Sequence, residues 1–228
     1  YISALDYPNG KNFKKYWPAN IHYIGKDIHW FHAVIWPAIL IAADIKVPKT
    51  ILVHGFINIK GEKLSKTTGN IVDPLKLIND YGLDSLRYFL IREIQFLEDG
   101  DFSEEALKDR LNNELANDLG NLLSRVLTIC EKNFNGKIKK SVVDKKLSNN
   151  LNLDKIKTLM DNYKLTEALN EIWSFIKSCN KHINDERLWE IEKSKQVKHL
   201  YSLLESLRIS ALLLSPFIPE TSENIFTQ

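Results

Sequence analysis

Two strand-like segments flank a helix-like segment in the first part of the chain. Residues 20–24 and 50–57 are short runs rich in apolar and β-branched residues, and residues 27–43 between them have a helical pattern. Because strand–helix–strand units form parallel neighbours in one sheet, the sequence predicts an α/β fold with a partial Rossmann-like parallel sheet. Ligands of such sheets bind beyond the carboxyl ends of the strands, where Gly25 and Gly55 fall.

A loop with two lysines follows the second strand. Residues 61–70 contain Lys63, Lys66, several hydroxyl side chains and a glycine near each end. Asp73 and Pro74 then predict a helix start, with Asp as the N-cap and Pro in the first helical position. Such a loop can close over a polyphosphate, since glycines allow unusual backbone angles and lysines are compact point charges. Its spacing is not that of a Walker loop, and a solvated turn is the alternative.

The helix between the two strands carries a mixed stripe of side chains. Ile28, His32 and Trp36 are four residues apart and therefore share one face. A histidine and a tryptophan on an apolar stripe near strand ends predict a pocket for an uncharged amphipathic side chain. A core histidine satisfied by a hydrogen bond is the alternative. A zinc site on His29 and His32 is disfavoured because no third ligand lies nearby in the sequence.

The rest of the chain is predicted to be helical. From Ser103 onward, apolar residues recur every three or four positions, which predicts a helix bundle. The acidic turn at residues 98–102 is the expected boundary, with an α/β domain at 1–100 and an all-α domain at 101–228. Before the boundary, Arg87 could contact RNA phosphate or an internal carboxylate.

Three residues of the helical half are candidates for contact with nucleic acid. Asn121 and Arg125 share one helical face, where an amide and a guanidinium could hydrogen-bond to base edges. Trp189 lies in a polar run, and exposed aromatic rings commonly stack on unpaired bases. A solvated helix face and a packed loop anchor are the alternatives for these residues.

Composition narrows the class of protein. The 31 basic and 29 acidic residues give a formal net charge of +2, which excludes an obligate polycation but leaves room for local basic patches. Cys130 and Cys179 lie in helical patterns without a Cys-x-x-Cys pair, so we expect a reducing cytoplasm, no disulfide framework and no metal site. No apolar run is long enough to span a membrane. Because Tyr1 is not a Met, we expect an internal fragment of a longer protein.

Several motifs resemble one enzyme family. The run Lys63 to Thr67 resembles the lysine signature of class I aminoacyl-tRNA synthetases. Residues 24–28, followed by Phe31-His32 and by residues 36–38, are similar in sequence and spacing to methionyl-tRNA synthetases. The segments Asp84 to Tyr88, Asn121 to Arg125, Asn180 to Trp189 and Pro216 to Thr221 also resemble that family, although Leu188 stands where the family usually has a proline.

The resemblance implies a role for each candidate residue. It implies a methionine pocket from four residues, namely Tyr1, Ile28, His32 and Trp36. It implies that ATP, with Mg²⁺, is bound by the strand ends and the lysine loop, namely Gly25, Asp27, His54, Gly55, Lys63, Ser65 and Lys66. Within that loop Lys66 would neutralise charge developing on pyrophosphate and Lys63 would support loop closure. Asn121, Arg125 and Trp189 would contact the anticodon.

The implied reaction is that of a methionine–tRNA ligase. Methionine would attack the α-phosphorus of ATP, and the methionyl group of the resulting adenylate would pass to tRNA(Met). The family's His-Ile-Gly-His motif is absent, so we expect this fragment alone to lack activity. Another class I synthetase is one alternative, and a non-catalytic tRNA-binding module built on the helical domain is the other. The sequence leaves the oligomeric state unknown.

Overall fold

The computed structural model describes residues 1–59, 61–63, 72–93 and 98–227, without the side chains of residues 62 and 63. These residues form two compact units. The described part of the first unit comprises residues 1–59, 61–63 and 98–101, and that of the second comprises residues 72–93 and 102–227.

A parallel strand pair organises the first unit. Helix α1 (Lys11–Tyr16) precedes strand β1 (His22–Gly25), which pairs in parallel with β2 (Ile51–His54). In this register His22 lies opposite Ile51 and Gly25 lies opposite His54, so both strands end at the same edge. The predicted strand–helix–strand unit and the α/β fold class are confirmed.

The connection between β1 and β2 is a helix of changing type. It begins as a 3₁₀ turn (Lys26–Ile28), passes through a π-helical segment (Phe31–Ile35) and ends as α2 (Trp36–Ala42). The change to α geometry occurs next to Pro37, which has no N–H group to donate to the preceding turn.

A second sheet, with three short strands, completes the first unit. Its central strand β3 (Ile57–Ile59) pairs with β4 (Glu62–Lys63) in antiparallel orientation and with β5 (Gly100–Asp101) in parallel. The backbone between β2 and β3 packs closely on the segment before β5, because a Cβ atom added at Gly55 would lie 1.8 Å from the carbonyl oxygen of Glu98. Only glycine fits this approach.

The described part of the second unit is helical. In chain order it contains α3 (Pro74–Tyr81), α4 (Leu83–Glu93), α5 (Glu104–Arg110), a π-helical segment (Leu111–Gly120), α6 (Asn121–Phe134), α7 (Lys145–Ser148), α8 (Leu153–Asp161), α9 (Leu165–Asp185), α10 (Lys193–Leu214) and α11 (Pro219–Thr227). Two predicted N-caps are confirmed, since Asp73 accepts from the N–H of Leu75 and Ser103 from that of Ala106. The predicted helix bundle is confirmed.

Apolar side chains from α4, α6, α9, α10 and the turn before α11 form one core. Fully buried members include Tyr88, Leu122, Ile176, Leu203 and Ile218. The packing therefore places α3 and α4 in the helical unit, although the sequence assigns them to the first domain. A functional boundary at residue 100 stays a prediction.

Helix α4 is tied to the turn before α11. The guanidinium of Arg87 donates to the carbonyl oxygens of Pro216, at 2.8 Å, and Phe217, at 3.1 Å. Asp84 accepts from the N–H of Thr221 at 2.6 Å, near the start of α11. Arg87 therefore binds backbone carbonyls, which differs from both interpretations of the sequence. None of the described helices combines the length and apolarity that a bilayer crossing requires.

Candidate active site

Five aromatic side chains meet beside the parallel strands of the first unit. The Tyr1 ring lies 4.7 Å from His22, 5.7 Å from His32 and 6.0 Å from Trp36 between centroids. The fifth ring, that of Trp17, has its centroid 6.1 Å from that of His22 and 6.2 Å from that of Trp36. The structure thus brings together three of the four residues predicted for a methionine pocket, and we call these five residues the aromatic cluster.

Hydrogen bonds fix the orientation of His32. Its Nδ1 lies 2.9 Å from the carbonyl oxygen of Ile28, and its Nε2 lies 2.8 Å from the hydroxyl of Tyr1. Because a carbonyl can only accept, Nδ1 carries the proton. In the neutral ring Nε2 therefore accepts from the Tyr1 hydroxyl. Ile28, the fourth predicted pocket residue, is 41% exposed one turn before His32.

Two nitrogens of the aromatic cluster lack a hydrogen bond within the described residues. They are the buried Nε1 of Trp36 and Nδ1 of His22. Leaving a buried donor or acceptor unpaired costs about 1–3 kcal/mol, so a ligand that pairs with one gains affinity. A cleft of about 380 Å³ opens beside the cluster, with Tyr1, Trp17 and His22 in its wall. Its size suits a small ligand.

The residues predicted to bind ATP at the strand ends also lie together. Gly25 and His54 are register partners at the carboxyl edge of β1 and β2. A Cβ atom added at Gly25 would lie 2.8 Å from Asp27 Oδ1 and 3.7 Å from His54 Cε1. His54 Nδ1 lies 2.8 Å from the carbonyl oxygen of Gly55 and therefore donates to it. This edge thus presents a carboxylate and an imidazole beside a glycine that leaves space.

An ion pair stabilises the same edge. Lys26 Nζ lies 2.6 Å from Asp99 and 4.5 Å from the centroid of the Phe56 ring. Asp99 also accepts from the N–H of Phe56 at 2.8 Å. Bonding to Lys26, followed by bonding to the Phe56 N–H, lowers the pKa of Asp99 below its ordinary value. The charged carboxylate therefore holds the start of the connecting helix against the segment before β5.

The predicted lysine loop falls mostly outside the described residues. Lys63 ends β4, but its side chain is not part of the description, and Ser65 and Lys66 lie outside the described ranges. The phosphate-binding roles inferred for these residues stay predictions.

The candidate anticodon residues lie on neighbouring helices of the second unit. Asn121 is exposed in the first turn of α6, and Arg125 one turn later donates to Asn184 Oδ1 at 2.6 Å. That bond joins α6 to the last turn of α9. Trp189 follows α9 and is 55% exposed, with its Nε1 donating to Glu190 at 3.1 Å. All three residues therefore lie on, or close in sequence to, the joined ends of α6 and α9.

Sequence analysis did not identify His22 or Trp17 as part of the site. His22 and Ile24 are two residues apart along β1 and both are buried, so their side chains share one face of the strand. A histidine on the core face of a strand that leads into a predicted site was the available signal. Trp17 carries no such signal, because only the fold brings it to Trp36.

Comparison with known proteins assigns this arrangement to a family. The family described as tRNA synthetases class I (M) matches residues 1–127, which is more than half of the chain. The chain belongs to this methionyl-tRNA synthetase family. The family described as the anticodon-binding domain of tRNA ligase matches residues 148–228.

Individual members of the methionyl-tRNA synthetase family match along the whole chain. The methionine–tRNA ligase of Caldanaerobacter subterraneus subsp. tengcongensis is 44% identical over 241 aligned positions, and that of Thermotoga maritima is 43% identical over 237. The chain spans 38% of the length of each of these relatives. A structure of the Mycobacterium tuberculosis methionyl-tRNA synthetase in complex with methionyl-adenylate has a TM-score of 0.89 at 37% identity, covering 99% of this chain and 47% of that one.

Proposed function

We propose that this chain is part of a methionine–tRNA ligase. The complete enzyme would use ATP to convert methionine to methionyl-adenylate and would transfer the methionyl group to tRNA(Met). Membership of the methionyl-tRNA synthetase family and the names of the relatives support this proposal. In the same proposal the enzyme works in the cytoplasm, residues 1–100 belong to the catalytic domain and residues 101–228 form the anticodon-binding domain.

The aromatic cluster is the observation that carries the proposal. Tyr1 and His32 are 31 residues apart, yet a hydrogen bond of 2.8 Å joins them beside Trp36. Aromatic rings make favourable contacts with a thioether sulfur, which suits a pocket for the methionine side chain. We infer that Tyr1, Ile28, His32 and Trp36 contact the methionine side chain, with His22 and Trp17 supporting them.

The neighbouring strand edge supports the nucleotide part of the proposal. Ligands of parallel sheets bind at the carboxyl ends of the strands, where Gly25, Asp27, His54 and Gly55 lie. We infer that these residues contact ATP, which would carry Mg²⁺. Lys63, Ser65 and Lys66 would bind its phosphates when the loop closes, and Lys66 would stabilise the pyrophosphate that leaves.

The helical unit supports the tRNA part. Asn121 and Trp189 are exposed near the bond that joins Arg125 to Asn184. An exposed indole offers a stacking surface to an unpaired base, while an amide and a guanidinium can bond to base edges. We infer that these three residues contact the anticodon of tRNA(Met).

Exchange of pyrophosphate into ATP by the full-length protein tests the methionine pocket. His32→Leu removes the bond to Tyr1 and is expected to raise the methionine KM about tenfold, which is the effect of losing about 1.4 kcal/mol. His29→Leu is the matched control, since His29 is an exposed histidine three residues before His32. Equal methionine KM values for both variants and the unmodified protein would refute the assignment of the pocket.

A further inference from the structure

Three potential metal ligands meet on the second unit, outside the sites described above. They are Asp144, immediately before α7, His182 in α9 and His199 in α10. His182 Nε2 lies 2.9 Å from His199 Nδ1, and one ligand atom from each of the three residues lies within 4.8 Å of the others. His182 is 6% exposed and Asp144 is 8% exposed. We call these residues the Asp–His–His cluster.

The local structure holds the Asp–His–His cluster in place. His182 and His199 face each other across the hairpin formed by α9 and α10. The backbone N–H of Asp144 donates to the hydroxyl of Ser202 at 2.9 Å, and Ser202 lies one turn after His199. The carboxylate of Asp144 caps α7 by accepting from the N–H of Lys146 at 2.9 Å. Separate elements therefore present the three side chains in a defined arrangement.

We propose that Asp144, His182 and His199 bind a zinc ion. Zinc prefers imidazole and carboxylate ligands at about 2.0–2.2 Å, which places tetrahedral ligand atoms about 3.3 Å apart. The two imidazole nitrogens are already close to that spacing, and the carboxylate lies within side-chain reach of it. Three protein ligands leave the fourth position for water.

Protonation and charge at the Asp–His–His cluster are compatible with this proposal. Burial, followed by the neighbouring His199, lowers the pKa of His182 below its ordinary value. One of the two facing nitrogens, His182 Nε2 or His199 Nδ1, carries the proton of this hydrogen bond. On zinc binding, the ring that carries it would change to the tautomer protonated on its other nitrogen. Lys198 Nζ, 3.3 Å from Asp144 Oδ2, is a cation that would compete with zinc for this carboxylate. Its side chain is 52% exposed, so it can turn into solvent at little cost.

A cleft open to solvent reaches His182, one of the three residues of the cluster. A cleft of about 220 Å³ opens beside α9 and is lined by His182, Asp185 and Glu186, with Lys146 and Lys181 also in its wall. Lys146 Nζ pairs with Glu186 at 2.9 Å, which offsets its positive charge at the entrance. Asp185 adds a carboxylate to this wall close to His182, and the two acidic and two basic side chains of the wall balance in formal charge. Bound zinc would fasten the segment before α7 to the α9–α10 hairpin.

Titration of the metal-free full-length protein with zinc tests the proposal, and Co²⁺ serves as a spectroscopic probe of tetrahedral coordination. We expect the unmodified protein to bind one equivalent of zinc more than His199→Asn. Asp144→Asn keeps an N-cap residue but loses the charge, and it is expected to bind zinc at this site about tenfold more weakly or worse. Zinc is expected to raise the Tm of the unmodified protein more than that of either variant.

His29→Asn is the matched control, because it removes an exposed imidazole from the first unit and leaves the cluster intact. Circular dichroism establishes that each variant is folded, and any other zinc site of the full-length protein cancels in the comparison. If His199→Asn fails to fold, Asp144→Asn decides the outcome. Equal zinc stoichiometry and affinity in the unmodified protein and the folded variants would overturn the proposal.

Discussion

At the scale of single residues, Glu114 is the centre of the ionic network in the helical unit. Its carboxylate accepts from Arg92 at 2.9 and 3.0 Å, from Arg110 at 2.8 Å and from the hydroxyl of Tyr88. Burial alone would raise the pKa of Glu114, but the bonds from Arg92 and Tyr88, together with the charges of Arg92 and Arg110, outweigh burial and lower it. The network joins α4 to the π-helical segment before α6.

Glu114→Gln is expected to lower the free energy of unfolding by about 3 kcal/mol, because it leaves Arg92, whose side chain is only 11% exposed, without its charged partner. Because the pKa of Glu114 is lower in the folded protein, the full stabilisation is present above the pKa of an unfolded glutamate, about 4.3. The stabilisation is lost as the pH falls through the lower pKa of the folded state. Urea unfolding at pH 7 and near pH 3 measures both effects.

The control for this prediction is Glu205→Gln, which removes the partner of Arg208. That arginine is 52% exposed, so its pair contributes far less to stability. An equal loss of stability in the two variants, or an effect of Glu114→Gln that does not shrink in acid, would contradict the account of the network.

The loop lysine predicted to act on pyrophosphate gives a second test at this scale. In the full-length protein, Lys66→Gln is expected to lower the adenylation rate at least about tenfold while methionine affinity stays near normal, because the lost charge acts on the transition state. Lys76→Gln, an exposed lysine of α3, is the control. Normal pyrophosphate exchange by Lys66→Gln would refute the role assigned to this residue.

At the scale of elements, the segment between α9 and α10 positions Trp189. The preceding Leu188 is fully buried, and the side-chain amide of Gln196 donates to the carbonyl oxygens of Leu188 at 2.7 Å and Ile191 at 3.2 Å. These contacts anchor the segment at the position where the family usually has a proline. The indole is therefore presented to solvent from a fixed base.

Trp189→Ala is expected to weaken binding of an anticodon stem-loop carrying CAU by about 1–3 kcal/mol, the usual value of one stacked base. It should leave methionine-dependent pyrophosphate exchange unchanged. Fluorescence anisotropy at stated salt, with a single-base variant of the loop, measures affinity and selectivity. Leu212→Ala, which truncates a 49% exposed side chain of α10, is the control. Unchanged affinity in Trp189→Ala would remove this residue from the anticodon site.

At the scale of the whole molecule, local patterns predicted the elements but not the contacts between distant residues. Alternation and helical period were enough for the parallel strands and for helices such as α9, because burial of one face determines those patterns. The stripe of Ile28, His32 and Trp36 was visible for the same reason. The hydrogen bond between His32 and Tyr1 joins residues 31 positions apart, and the Asp–His–His cluster joins residues at least 17 positions apart. No short sequence spacing reveals such contacts.

The most direct test of the central claim is ATP–pyrophosphate exchange by the full-length protein with methionine, leucine or cysteine as the amino acid. The account predicts exchange with methionine and, at equal concentration, rates lower by about 100-fold or more with the other two. Faster exchange with leucine or cysteine would contradict the methionine pocket and favour another class I synthetase. No exchange with any of the three would contradict the catalytic proposal and favour a tRNA-binding module.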